Sequence, residues 1–155
     1  MAALRKLLAR GRSDSGAEFV EFALAFPLLL LVVLGIMDFG MMFQQYEVIT
    51  NAAREGARVG VLPGFSLANA EARATAYAAQ VTGPAIATVL PATTANVPVA
   101  GAGSPCITTI TVTVTYPHTF MFVGQLMAYF GSPTLGTKIL TATSTMRSET
   151  VAGGC

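Results

Sequence analysis

The chain has 155 residues, 53% of them apolar and only 11% charged, with a net charge of +1. That length holds one domain, and a membrane helix beside it accounts for much of the apolar excess over a soluble protein. A balance so close to neutral leaves no electrostatic footprint for nucleic acid.

Residues 1–16 read as a basic leader. Arg5, Lys6, Arg10 and Arg12 stand here against one acid, Asp14. Leu4, Leu7 and Leu8 among them allow an amphipathic surface helix, but the simpler expectation is a leader that sets orientation and is then cleaved. The positive-inside rule keeps the N-terminus cytoplasmic and exports everything after Phe43. From Phe22 to Met37 no residue is ionisable, and Phe22–Phe43 as a helix would extend about 33 Å, a bilayer core. The stretch is apolar on every side, which a short helix in a soluble core need not be. It is expected to span the membrane.

The flanks of this span carry more information. Gly16 precedes the apolar run, whereas a secretory signal peptide has its small-residue cleavage site after it. Glu21 sits at the mouth of the helix, where a carboxylate needs a partner. Cleavage after Gly16 would supply one, the new amine of Ala17, one helical turn away. The heptapeptide Gly16-Ala17-Glu18-Phe19-Val20-Glu21-Phe22 resembles the processing site of type IV prepilins. In these a prepilin peptidase cuts after the glycine and a glutamate stands fifth in the mature chain. The longer run AEFVEFALAFPLLLLVVLGIMDFGMMF, followed by Asn51-Ala52-Ala53-Arg54-Glu55-Gly56-Ala57-Arg58, is similar to the TadE-like family. These are pilin-like subunits of the bacterial tight-adherence, or Flp-type, pilus. The likeness covers roughly residues 12–60, with Met146-Arg147-Ser148-Glu149 a further echo. It implies a minor pilin or pseudopilin held in the bacterial inner membrane, whose partners are the prepilin peptidase, other pilin and pilin-like subunits and the pilus assembly platform.

Within the span, Pro27 leaves the carbonyl of Ala23 without its usual donor. This is either a harmless kink or a point where the helix bends when subunits pack. Asp38 lies 16 residues after Phe22, about 24 Å along the helix, and is expected as a lone carboxylate at the outer interface, with Arg54 of a shifted neighbour as an alternative partner. The helical pattern continues to Val59, so one long helix from about Glu18 is expected. Ala52, Gly56 and Gly60 recur every four residues, beside Ala53 and Ala57, and form a smooth face that another backbone can approach. Leu62-Pro63-Gly64 ends the helix.

The remainder, residues 61–155, is expected to be a small exported α+β head. Ser66 would cap a second helix whose stripe Leu67, Ala70, Ala74, Tyr77 and Val81 packs on the sheet. Four prolines make residues 84–105 a loop, with at most a short strand at Ile86–Leu90. Ile110, Val112, Val114 and Tyr116 alternate with threonines in one strand, and Leu140, Ala142, Ser144 and Met146 in another. Phe120–Phe130 between them is too apolar for an exposed helix, and is expected to complete the core rather than to form a contact surface. Cys106 and Cys155, both exported, form an even pair in an oxidising compartment and are expected to be joined.

No enzyme is expected. His118 has no second metal ligand at a suitable spacing and reads as a surface loop residue. No nucleophile–base set or phosphate loop can be named, and no cofactor or metal is implied. The expected protein is therefore a single-pass, pilin-like α+β subunit whose work is assembly. The competing reading is a signal-anchored periplasmic binding module that never enters a filament.

Overall fold

A computed structural model of the protein describes residues 14–98, 106–129 and 136–152. Helix α1 (Asp14–Gly60) contains 47 residues and is about 70 Å long. It begins four residues before the expected Glu18, so it is continuous across the Gly16–Ala17 junction, and it runs through Pro27 without a break. It is the one helix among the described residues long and apolar enough to cross a membrane. Its first half is bare: every residue from Gly16 to Val33 is exposed. Its second half carries the head.

Helix α2 (Leu67–Ala78) starts where Ser66 and Asn69 exchange hydrogen bonds in a capping box. The Asn69 side chain accepts the Ser66 N–H, and the Ser66 hydroxyl shares the Asn69 N–H with the Ser66 carbonyl. Ala70, Ala74 and Ala78 are buried. They face α1 more than the sheet, which corrects the expected packing. Alanine on both helices lets the backbones approach closely, and the sheet meets mainly the α1 side.

The sheet is antiparallel and centred on β3 (Cys106–Thr119). One edge of β3 pairs along its length with β4 (Thr137–Ala152), with a register shift between Ile107 and Thr109. The other edge is shared by β1 (Thr88–Val89) and β2 (Thr93–Pro98). β1 falls within the short strand expected at Ile86–Leu90, whereas β2 stands where only loop was expected. β2 is exposed along its whole length, so it has no apolar alternation to announce it. The inward residues of β3 and β4, among them Ile110, Val112, Val114, Tyr116, Leu140 and Ala142, meet Ile49, Ala52, Ala53 and Ala57 of α1 in one core. On the outward face threonines pair across the strands, Thr111 with Thr145 at 2.8 Å and Thr113 with Thr143 at 3.1 Å. Such pairs let a polar face keep strand geometry.

Two further expectations are corrected. Strand β3 does not stop at Tyr116: Pro117 pairs with Ile139 and His118 with Lys138. Beyond Thr115 the opposite edge of β3 has no partner strand among the described residues, which is where a residue without an N–H is tolerated. His118 thus continues the buried alternation of Val112, Val114 and Tyr116 instead of lying on the surface. And no described side chain of α3 (Val123–Tyr129) belongs to the core cluster. It lies beside α1, with Met121 58% and Leu126 37% exposed.

Candidate functional site

The feature that defines this molecule is the seam joining α1 to its head. One stripe of α1 enters it: Asp38, Met42, Gln45, Ile49, Ala52, Gly56 and Gly60, spaced by three or four residues and each buried or half-buried. That spacing keeps the stripe on one helical face.

At the lower end Asp38 is fully buried and far from lone. Its carboxylate accepts backbone N–H bonds from Met121 at 3.1 Å, Phe122 at 3.0 Å and Val123 at 2.7 Å. These belong to the turn that starts α3, whose first donors have no partner within the helix. A carboxylate there also meets the positive end of the helix dipole. The ring of Phe120 closes the site, edge-on to Phe39 at 5.9 Å and to His118 at 4.7 Å.

One level up, buried Gln45 holds two elements at once. Its Nε2 donates to the Thr82 carbonyl at 2.7 Å, and its Oε1 accepts from His118 Nδ1 at 2.5 Å. Because the amide oxygen can only accept, Nδ1 carries the proton. Burial lowers the His118 pKa, while the Asp38 carboxylate acts in the opposite direction. His118 Nε2 and the neighbouring Tyr116 Oη are both buried without a hydrogen-bond partner among the described residues. Gln44 reinforces this level by accepting from Thr82 Oγ1 at 3.0 Å.

At the upper end α1 and α2 nearly touch. A Cβ placed on Gly56 would lie 2.8 Å from Ala74 Cβ and 2.9 Å from the Ala70 carbonyl oxygen. One on Gly60 would meet Ala70 and Ile110, each at 3.1 Å. The Ala52, Gly56 and Gly60 face is therefore occupied by the protein's own head. Beside it Glu55 pairs with Arg58 at 2.8 Å and Arg73 of α2 at 3.0 Å. Those hydrogen bonds, Arg58 first, bring the Glu55 pKa down to about 2.

The other residues singled out in the sequence lie apart from the seam. Gly16, Ala17 and Glu21 are exposed on the bare half of α1, and a Cβ placed on Gly16 would meet no other described residue within 4 Å. Cys106 is fully buried where β3 begins, and no free cysteine occurs among the described residues. Cys155 lies outside the described residues, as do residues 1–13 of the leader. No cluster of metal-ligating side chains is found among the described residues. Gln45 was not singled out in the sequence, although it falls on the stripe obtained by stepping back from Ala52 through Ile49, and His118 was read as a surface residue rather than a buried partner of it.

The fold and the seam define an α+β head mounted on a long apolar helix suited to membrane anchoring. Residues 16–58 match the model of the TadE-like protein family, a family of structural, pilus-associated proteins rather than enzymes. The matched segment lies within α1 and does not include the head. No curated protein and no solved structure matches the chain.

Proposed function

We propose that this protein is a pilin-like structural subunit, a minor pilin or pseudopilin, of a tight-adherence type IV pilus. A prepilin peptidase would process it after Gly16. The observation that carries the reading is the division of α1: a bare apolar half in the segment that matches the TadE-like family, and a second half locked to the head. A helix of that kind has two uses in sequence. It anchors the subunit in the inner membrane with the head outside, and the same apolar surface then packs against other subunits when the assembly platform lifts it into a filament. Glu21 would meet an amine, its own at Ala17 or a neighbour's, once both are in an apolar setting. The Gly16–Ala17 junction lies on an exposed stretch with no described head residue in the way, which suits a peptidase substrate.

The test is the mature N-terminus. Protein recovered from cells should begin at Ala17, and Gly16→Leu should accumulate as the longer form. A different N-terminus, or an intact leader in the wild type, would refute processing and favour a simple signal-anchored module.

A further inference from the structure

We propose that α3 and the turn before it are seated in the membrane leaflet nearest the head, and that the groove between α3 and α1 holds a lipid acyl chain. This rests on α1 being the membrane span. The groove measures about 830 Å³ and runs between Leu24, Leu28 and Leu31 of α1 and Phe122, Val123 and Leu126 opposite. Those leucines stand seven to fourteen residues before Asp38, about 10–21 Å deeper along α1. Hence α3 does not rest on top of the span but flanks it, at a depth where the surrounding medium is hydrocarbon.

The segment is built for that medium. Phe120–Phe130 contains no Asp, Glu, Lys, Arg or His. Met121 and Leu126 point much of their apolar surface away from the protein. Irregular backbone enters hydrocarbon only if its polar groups are satisfied within the protein. The turn meets that condition through Asp38, which takes the N–H groups of Met121, Phe122 and Val123. The carboxylate in turn reaches membrane depth only because three donors surround it. Neither group is suited to the leaflet without the other. The groove is continuous with the bare apolar surface of α1, and its size lies in the range of pockets that bury a small molecule. Its described lining is apolar apart from Gln125. An acyl chain satisfies these conditions without any change in the head.

The chain contains no tryptophan, so single reporters can be introduced into the full-length protein. Leu126→Trp tests α3, Leu29→Trp the span, and the highly exposed Ile86→Trp the head. Each is reconstituted in phosphatidylcholine vesicles with and without bromine on the acyl chains, and titrated separately with iodide. The proposal expects Leu126→Trp and Leu29→Trp to lose most of their emission in brominated lipid and to resist iodide, with Ile86→Trp doing the reverse. Adding Asp38→Ala to Leu126→Trp should transfer its quenching from lipid to iodide; unchanged lipid quenching would overturn the anchoring role of Asp38. Iodide quenching of Leu126→Trp, with Leu29→Trp still quenched by lipid, would overturn the placement of α3 and leave the span intact. Shielding of Leu126→Trp from both quenchers would mean that protein fills the groove, which also overturns the proposal. Iodide quenching of Leu29→Trp would overturn the span, and the inference with it.

Discussion

Asp38 shows how one side chain changes meaning between sequence and structure. In the sequence it is a carboxylate at the end of an apolar run; in the fold it fastens α3 and the turn before it to α1. Replacing it with alanine leaves three backbone donors without an acceptor, so Asp38→Ala should destabilise the head by about 3 kcal/mol, with Asp38→Asn milder because one carbonyl oxygen remains. Thermal unfolding of the two variants checks the order. His118, one turn of chemistry away, makes the fold sensitive to acid. Its pKa is lowered by burial, so the unfolded chain binds the proton more readily than the folded one. The stability it contributes is complete above the ordinary imidazole value near 6.5 and is lost as pH falls through the lower folded value. The melting temperature should therefore fall between pH 7.5 and pH 5, two readings on either side of about 6.5. His118→Gln should flatten that part of the profile, and an equally steep fall in the variant would assign the acid sensitivity elsewhere. Gly83 gives a third residue-scale test. It adopts φ +151°, and a Cβ there would collide with the Tyr116 hydroxyl, so Gly83→Ala should lower the melting temperature measurably.

At the scale of elements, the close crossing of α1 and α2 is the least forgiving contact. Gly56→Leu must displace the Ala70 backbone and the Ala74 methyl, and should cost about 3 kcal/mol. Glu55→Gln, one position away, removes salt-screened ion pairs on the surface and should be much milder, more so at high salt. Equal tolerance at the two positions, read by urea unfolding, would contradict the packing. The chain's end supplies a second test. Cys106 pairs in register with Ala152, three residues before Cys155. A Cys106–Cys155 bond would clamp the start of β3 to the C-terminus, with about 4 kcal/mol from closing a loop of this length in the chain-entropy account. Mass spectrometry of non-reduced protein should show the cross-link; two alkylatable thiols would exclude it. The sequence made these elements legible to different degrees. Helices α1 and α2 and strands β3 and β4 carry strong periodicity, and Ser66 announces its own cap. β2 was hidden because no side of it is buried, and the last residues of β3 because the apolar alternation ends at Tyr116. The place of α3 was hidden for another reason: its apolar composition suits a core and a bilayer equally, and the Asp38 carboxylate that holds the turn before it stands 83 residues away from Met121 in the chain.

The whole molecule consists of one rigid attachment and one free surface. The seam fixes the head by polar contacts at Asp38 and Gln45 and by small residues at Gly56 and Gly60, while the apolar half of α1 stays uncovered. In the proposed function that surface first faces lipid and later faces neighbours. Glu21 belongs to the second stage, so Glu21→Ala should insert in the membrane and keep the stability of its head, yet be absent from filaments. The seam, by contrast, was only partly legible: the Ala52, Gly56 and Gly60 spacing announced a close contact, but not that the protein's own head fills it. The most direct measurement of the central claim is the N-terminal sequence and abundance of this protein in surface filaments sheared from cells. The account predicts a chain beginning at Ala17 in the filament fraction, lost with Glu21→Ala. A chain confined to the inner membrane, with no copies in sheared filaments of wild-type cells, would contradict it.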